Sequence, residues 1–326
     1  MYALCGAFLK AFKERVESQE RRPSTLKNYV LVCRLVIRVF GKNRLVSDLG
    51  QKDWRKLRAI MAKKWGPKTL HDEMVRTIVP FNWAFDADLL PAPVKFGVSF
   101  DLPSEKTLME HRNKRGEQMF EAHEIRTMLG AAGPALRAMI MLGINCGFGN
   151  ADIAALPMSA LDLERGWVSH PRVKTAVKRR CKLFPETVEA LREWLVVRPE
   201  PMNPEHGQLV FITNKKHAWS SEDGTLNPLS LEMKKLVTKL GLDKGRVRRP
   251  TFYDLRHTTQ TIGDECGDYL AVRAVMGHKG KNDISDVYRE RMSDARLEKV
   301  AATIRGWLFD GHEDGTPDVL QFGQAQ

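Results

Sequence analysis

Near the C-terminal end of the chain a cation, an imidazole and a phenol follow one another in an order that suits attack on a phosphodiester. Arg256 lies in TFYDLRHTTQT (251–261), His278 in MGH (276–278) and Tyr288 in DVYRERM (286–292), with intervals of 22 and 10 residues. A phenol of pKa about 10 is a weak nucleophile at neutral pH. It reaches phosphorus only when the phosphate charge is neutralised, and a guanidinium does this with permanent charge and planar, paired donors. One arginine and one histidine upstream of a lone tyrosine supply much of that need.

Mostly helical elements must position these groups. In the first hundred residues apolar side chains recur at intervals of three and four: Phe8, Phe12 and Val16; then Leu26, Tyr29, Val30, Cys33, Val36, Ile37 and Phe40; then Met74, Ile78, Phe81 and Phe85. A shorter helix is expected from about Gln51, with Trp54, Leu57 and Ile60. Ser24 or Thr25 is the expected N-cap of the second helix and Gly41 its stop. Residues 92–117 lose this periodicity, and 101–117 read as a linker. Helical patterns resume in FEAHEIRTMLGAAG and in the strongly apolar PALRAMIMLGIN, which is too short to cross a membrane. GWVSHP (166–171) and RCKLFP (180–185) have strand composition around a turn in VKTAVKR, and QLVFIT is a further short strand-like run. The stripe Leu297, Val300, Ala301, Ile304, Trp307 and Leu308 reads as core. The fold class is therefore mainly α with a small β-hairpin or sheet (α+β). Its expected parts are a basic helical domain over 1–100, a linker over 101–117, a second domain over 118–310 and a polar tail over 311–326.

Charge is unevenly placed. The chain of 326 residues has 52 Lys and Arg against 40 Asp and Glu, a net of +12, and residues 1–100 hold 19 basic against 9 acidic residues. A basic module of this kind is expected to lie along a polyanion, most commonly nucleic acid, with Lys27, Arg34, Lys63 and Lys64 among the candidate phosphate contacts. A solubilising surface is the other reading of the same charge. Between Arg172 and Lys182 stand six cations and no acid, including Lys178, Arg179 and Arg180, which suits a phosphate backbone or minor groove. The five cysteines (5, 33, 146, 181 and 266) are widely spaced without a CxxC pair and read as reduced structural thiols, with no metal site. With no apolar run of 18 residues and no leader pattern, a soluble, cytoplasmic, nucleoid-associated protein is expected. No nucleotide-binding loop or HExxH motif occurs.

Taken together, the basic helical module, the linker, the hairpin and the ordered Arg256, His278 and Tyr288 resemble the tyrosine recombinase (phage integrase) family over nearly the whole chain. The resemblance implies a core-binding (SAM-like) domain followed by a catalytic domain. It also implies site-specific recombination of double-stranded DNA through a 3′-phosphotyrosyl link, without cofactor or metal, and a tetramer on DNA. Tyr288 matches the nucleophile, Arg256 the second arginine, His278 the His or Trp position, and Lys174 the general-acid lysine of the hairpin. A general acid there protonates the leaving 5′-oxygen.

Two positions depart from the family pattern. Tyr253 stands where the family has the histidine of H-x-x-R, and a phenol still donates a hydrogen bond to phosphate. Where the family has its first arginine in TGxR-x-x-E, this chain reads CGFGNAD, with Gly149 at the arginine position and Asp152 at the acid. Loss of one preorganised donor costs on the order of 10²–10³ in rate. Either another cation fills the space, with Arg172 the first candidate and Arg137 a weaker one, or the chain is a catalytically weak or inactive DNA-binding or architectural protein on the same fold.

Overall fold

Two separate apolar cores organise the chain, in a unit spanning Met1–Arg115 and another spanning Gly116–Gln326. The computed structural model describes residues 1–219, 227–279 and 291–310.

The first unit is built from α1 (Tyr2–Glu17), α2 (Pro23–Phe40), α3 (Gln51–Lys64), α4 (Pro67–Asp86) and α5 (Glu105–Asn113). Phe8 and Phe12 of α1 meet the ring of Tyr29 edge-on, at 5.0 and 4.8 Å between centroids. Trp54, fully buried on α3, is surrounded edge-on by Phe40, Phe81, Phe96 and Phe100. Such edge-to-face rings stabilise by about 0.5–1.5 kcal/mol each beyond their buried area. The N-cap of α2 is Arg22, ahead of both expected caps, Ser24 and Thr25. Pro23 occupies its first position behind an extended Arg22, because a ring-fixed φ and a missing N–H cost nothing there. Gly41 ends α2 at φ +96°. The expected linker holds α5 instead: Ser104 caps it by accepting from the Thr107 N–H at 3.2 Å, and its His111 packs against Gly66 at the start of α4. The division between units accordingly falls after Arg115.

In the second unit α7 (Pro134–Cys146) is the central element, with every residue from Ala138 to Cys146 buried. Around it stand α6 (Ala122–Ala131), α8 (Asn150–Ala154), α9 (Pro185–Val197), α10 (Pro228–Lys239), α11 (Phe252–Asp264), α12 (Tyr269–Met276) and α13 (Asp294–Phe309). A three-stranded antiparallel sheet joins β1 (Leu161–Asp162), β2 (Trp167–Ser169) and β3 (Arg180–Lys182) in that order. Trp167 lies opposite Lys182, and Ser169 opposite Arg180. The expected hairpin is thus β2–β3, and β1 adds a strand with no clear pattern in the sequence. QLVFIT does not join the sheet: Val210, Phe211 and Ile212 are buried, but the segment makes only isolated bridges through Leu209 and Ile212. The α13 stripe is buried at Leu297, Val300, Ala301, Ile304 and Leu308. No described helix is long and apolar enough to cross a membrane.

Asn145 ties the end of α7 to the strand–helix junction after β3. Its Nδ2 donates to the Lys182 carbonyl at 2.8 Å, and its Oδ1 accepts from the Phe184 N–H at 2.8 Å and from Thr187 Oγ1 at 3.0 Å. Asn145→Leu leaves these buried partners unpaired, at about 1–3 kcal/mol each before relaxation. A loss of about 2–4 kcal/mol is the expected result, read as a lowered urea midpoint in the tryptophan fluorescence of the full chain.

Candidate active site

Arg256 enters the site from the second turn of α11. That helix is anchored at its start by Asp254, which accepts from the Thr251 N–H at 2.7 Å and pairs with Arg248 at 2.6 Å. The guanidinium is buried between two helix C-termini, donating to the Gly147 carbonyl just past α7 and to the Met276 carbonyl closing α12. Carbonyls at helix ends lack intrahelical donors and carry partial negative charge, so a cation suits both. Each end turns through a left-handed glycine, Gly147 at φ +61° and Gly277 at φ +59°. After α12 the Gly277 N–H donates to Ala274 and the His278 N–H to Arg273, the pairing of a Schellman motif. This turn delivers His278 Nε2 to 2.9 Å from Arg256 Nη2. The guanidinium can only donate, so Nε2 accepts and the ring proton sits on Nδ1.

The hairpin closes the other side. Arg172 Nη1 lies 3.5 Å from the Gly277 carbonyl, which also accepts from Thr175 Oγ1 at 3.2 Å. Lys174 stands between these two residues, exposed at the tip of the turn, and the Val173 N–H beside it donates to Asp152 Oδ1 at 3.0 Å. Arg179 is turned inward. Its side chain is fully buried, with Nε donating to the His170 carbonyl at 3.1 Å, Nη2 3.2 Å from Asp152 Oδ1, and the guanidinium 4.0 Å from the centre of the Phe148 ring. Asp152 also accepts from the Gly149 N–H at 3.0 Å, closing the first turn of α8. A Cβ built on Gly149 meets the Tyr253 ring at 3.6 Å and Asp152 Oδ2 at 3.7 Å, ordinary contact that leaves room for a side chain.

Burial, and then the charges of Arg256 and Arg172, lower the pKa of His278 to about 4. Burial followed by Arg172 lowers that of Arg256 to about 10, which leaves it charged at neutral pH. For Asp152, burial pushes upward, but the Arg179 charge and the Gly149 and Val173 N–H groups outweigh it and hold the carboxyl below its usual range. The imidazole is therefore neutral in the free protein near pH 7. Because its folded pKa lies below that of the unfolded chain, the unfolded state binds the extra proton between about pH 6.5 and 4. Stability is expected to fall as pH drops through that window, and His278→Gln is expected to remove this component. Carbon-13 histidine NMR of the full chain checks it: the His278 ring stays neutral at pH 5.5.

The structure brings together Arg256, His278, Tyr253, Arg172 and Gly149, with Lys174 on the rim, whereas Tyr288 lies outside the described residues. Of the hairpin cations expected on DNA, Lys178 is exposed and Arg180 stacks on Trp167 while pairing with Asp294. Arg179 is the exception among them: its guanidinium is turned inward against Asp152 and Phe148 instead of standing exposed on the hairpin. Successive residues of an extended segment alternate in direction, so the cations at 178 and 179 leading into β3 and Arg180 at its start divide between faces. The sequence does not say which one turns in. Arg137 is excluded as a substitute: it binds the Leu129 and Ala132 carbonyls and Glu193 at the opposite end of α7. The three arginines of KGRVRRP (244–250) are also engaged, Arg246 with Glu124, Arg248 with Asp254 and Arg249 with Asp243. Lys27, Arg34, Lys63 and Lys64 are exposed on α2 and α3 of the first unit. Among the described residues no group of three or more His, Cys, Asp or Glu could hold a metal ion.

The fold is similar to that of solved recombinases. The Tn1549 transposon integrase in complex with circular-intermediate DNA matches with a TM-score of 0.64 at 14% identity, over 90% of this chain and 97% of that one. A lambda integrase dimer bound to a COC′ core site gives 0.64 at 15%, over 89% and 98%. A lambda integrase tetramer bound to a Holliday junction gives 0.62 at 16%, over 89% and 79%. Among curated protein sequences none matches this chain. The family model described as the phage integrase family matches residues 117–293, more than half of the chain and the whole of the arginine–histidine pocket. The chain belongs to the phage integrase family, the tyrosine recombinases.

Proposed function

We propose that this protein is a site-specific DNA recombinase that cleaves and rejoins strands through Tyr288. The reading rests above all on Arg256, held between two helix C-termini and 2.9 Å from His278. A buried cation in that frame is preorganised for a phosphate, and preorganised charge is the largest single source of transition-state stabilisation in such chemistry. In the reaction the Tyr288 oxygen bonds to phosphorus, the bond from phosphorus to the 5′-oxygen breaks, and Lys174 gives that oxygen its proton. The phenol proton returns to Lys174 through solvent. Arg256 moves a donor from His278 to a nonbridging oxygen, and the imidazole then takes up a proton to donate alongside it, its pKa raised by the arriving anion. Tyr253, with its ring against Gly149, offers a third donor. Double-stranded DNA is the partner, with the exposed lysines and arginine of α2 and α3 on the phosphate backbone. A tetramer is the working assembly, as in the lambda integrase complex on a Holliday junction. A DNA-associated, cytoplasmic protein fits this reading.

Gly149 favours a second reading, a protein that binds DNA without cutting it. The full chain, incubated with nicked duplexes carrying a randomised central segment, separates the two. A covalent, protease-sensitive adduct on a captured sequence supports strand transfer. A gel shift on selected duplexes without any adduct sinks it in favour of the second reading.

A further inference from the structure

We infer that Arg179 makes the phosphate contact that Gly149 leaves unmade, reaching the scissile phosphate from the hairpin instead of from the turn after α7. The inference rests on the strand-transfer reading and concerns how this variant pocket meets its charge requirement.

A buried arginine normally satisfies all its donors, and Arg179 does not. Nε is bonded to the His170 carbonyl, and Nη1 reaches Asp152 Oδ2 only at 3.4 Å. Nη2 lies 3.2 Å from Asp152 Oδ1 yet is not aligned with it, and it has no hydrogen-bond acceptor although it is buried. The short distance speaks for charge pairing and the misalignment for an open donor; geometry decides in favour of the donor, because a hydrogen bond weakens steeply off its axis. A buried guanidinium N–H without a partner costs free energy that an incoming phosphate oxygen would recover.

Its position fits that oxygen. The side chain that Gly149 lacks would start between the Tyr253 ring and Asp152 Oδ2, and Asp152 is the carboxylate holding Arg179. Phe148, the residue before Gly149, fixes the plane of the guanidinium. On its other side the Arg179 stem lies 3.5 Å from a Cβ built on Gly277, the residue that introduces His278. Its charge reaches Arg256 as well. Arg172, Arg179 and Arg256 thus share one pocket with Asp152 set among them, an excess of positive charge that an anion completes. Arg172, half-buried, has its Nη1 turned toward the Gly277 carbonyl, which leaves Arg179 as the buried cation with an open donor beside Gly149.

Single-turnover adduct formation by the full chain tests this on a duplex captured from the randomised nicked pool. Arg179→Met is expected to lower the rate about 10²–10³-fold while the gel shift stays within about threefold. On the same duplex with a methylphosphonate at the scissile position, whose charge is removed, the loss is expected to shrink below about tenfold, because less charge is left to neutralise. A merely structural arginine would show the same loss on both substrates, and that result overturns the inference, as does wild-type-like cleavage by Arg179→Met. Should the Met variant fail to fold, Arg179→Lys is compared on the same two substrates and read in the same way. Gly149→Arg combined with Arg179→Met is expected to recover at least about tenfold by returning a guanidinium to the older position; no recovery in a folded double variant counts against a shared role. An adduct from wild type with unchanged Arg179 variants sinks this inference alone, whereas no adduct from wild type on either substrate sinks strand transfer and this inference together.

Discussion

Tyr288→Phe is expected to abolish covalent capture of DNA, by more than about 10³-fold, while duplex affinity changes by no more than about threefold. The substitution removes one oxygen and leaves the ring, so a loss confined to the adduct identifies the phenol as the atom that bonds to phosphorus. The four other tyrosines set the control. Tyr2 and Tyr29 belong to the first unit and Tyr269 opens α12, but Tyr253 stands beside Arg256 with its ring against Gly149. Tyr253 is also 44% exposed, so it is the one described phenol placed to compete for a bound phosphate. As a hydrogen-bond donor only, it predicts a modest loss in Tyr253→Phe, about tenfold. Peptide mapping of the captured adduct decides between them: DNA attached at Tyr253 would overturn the assignment to Tyr288.

Arg256 carries the second large effect, on rate and on stability together. Arg256→Ala is expected to lower adduct formation by at least about 10³-fold, since a donor central to a charged transition state is lost along with its charge. It also leaves the Gly147 and Met276 carbonyls, both buried, without a donor, at about 1–3 kcal/mol each. Lysine separates the two effects. Arg256→Lys keeps the charge, but a single ammonium cannot span two helix ends and His278 in one plane. Its adduct rate is expected to fall about 10²-fold with less loss of stability than in the alanine variant. Single-turnover assays paired with urea unfolding check both numbers. Equal rate losses in the two variants would mean that geometry, with no separate contribution from charge, is what Arg256 provides.

Much of the framework was legible because its causes are local. Period-three and period-four apolar spacing marked the helices of the first unit, and the run from Ala138 to Cys146 is apolar enough to require burial on every side. Where expectation and structure parted, the cause lay beyond short-range pattern. Residues 105–113 carry little apolar periodicity, yet they form α5 because Ser104 caps them and they pack against the start of α4. QLVFIT looks like a strand by composition, but its burial comes from packing of Val210, Phe211 and Ile212, with no partner strand beside it among the described residues.

The order of chemical groups, the family they belong to and the absence of a side chain at residue 149 are written in the chain itself. Those are properties of residue type and spacing, and no folding is needed to read them. Which cations gather around that absence is set by folding. Six positive side chains between 172 and 182 are nearly equivalent as text. Strand alternation and packing send Arg180 to Asp294, leave Lys174 and Lys178 in solvent, and bury Arg179 against Phe148 and Asp152. The direction of a side chain depends on the strand's register and on what lies across from it, and for Arg179 that partner is an aspartate 27 residues away.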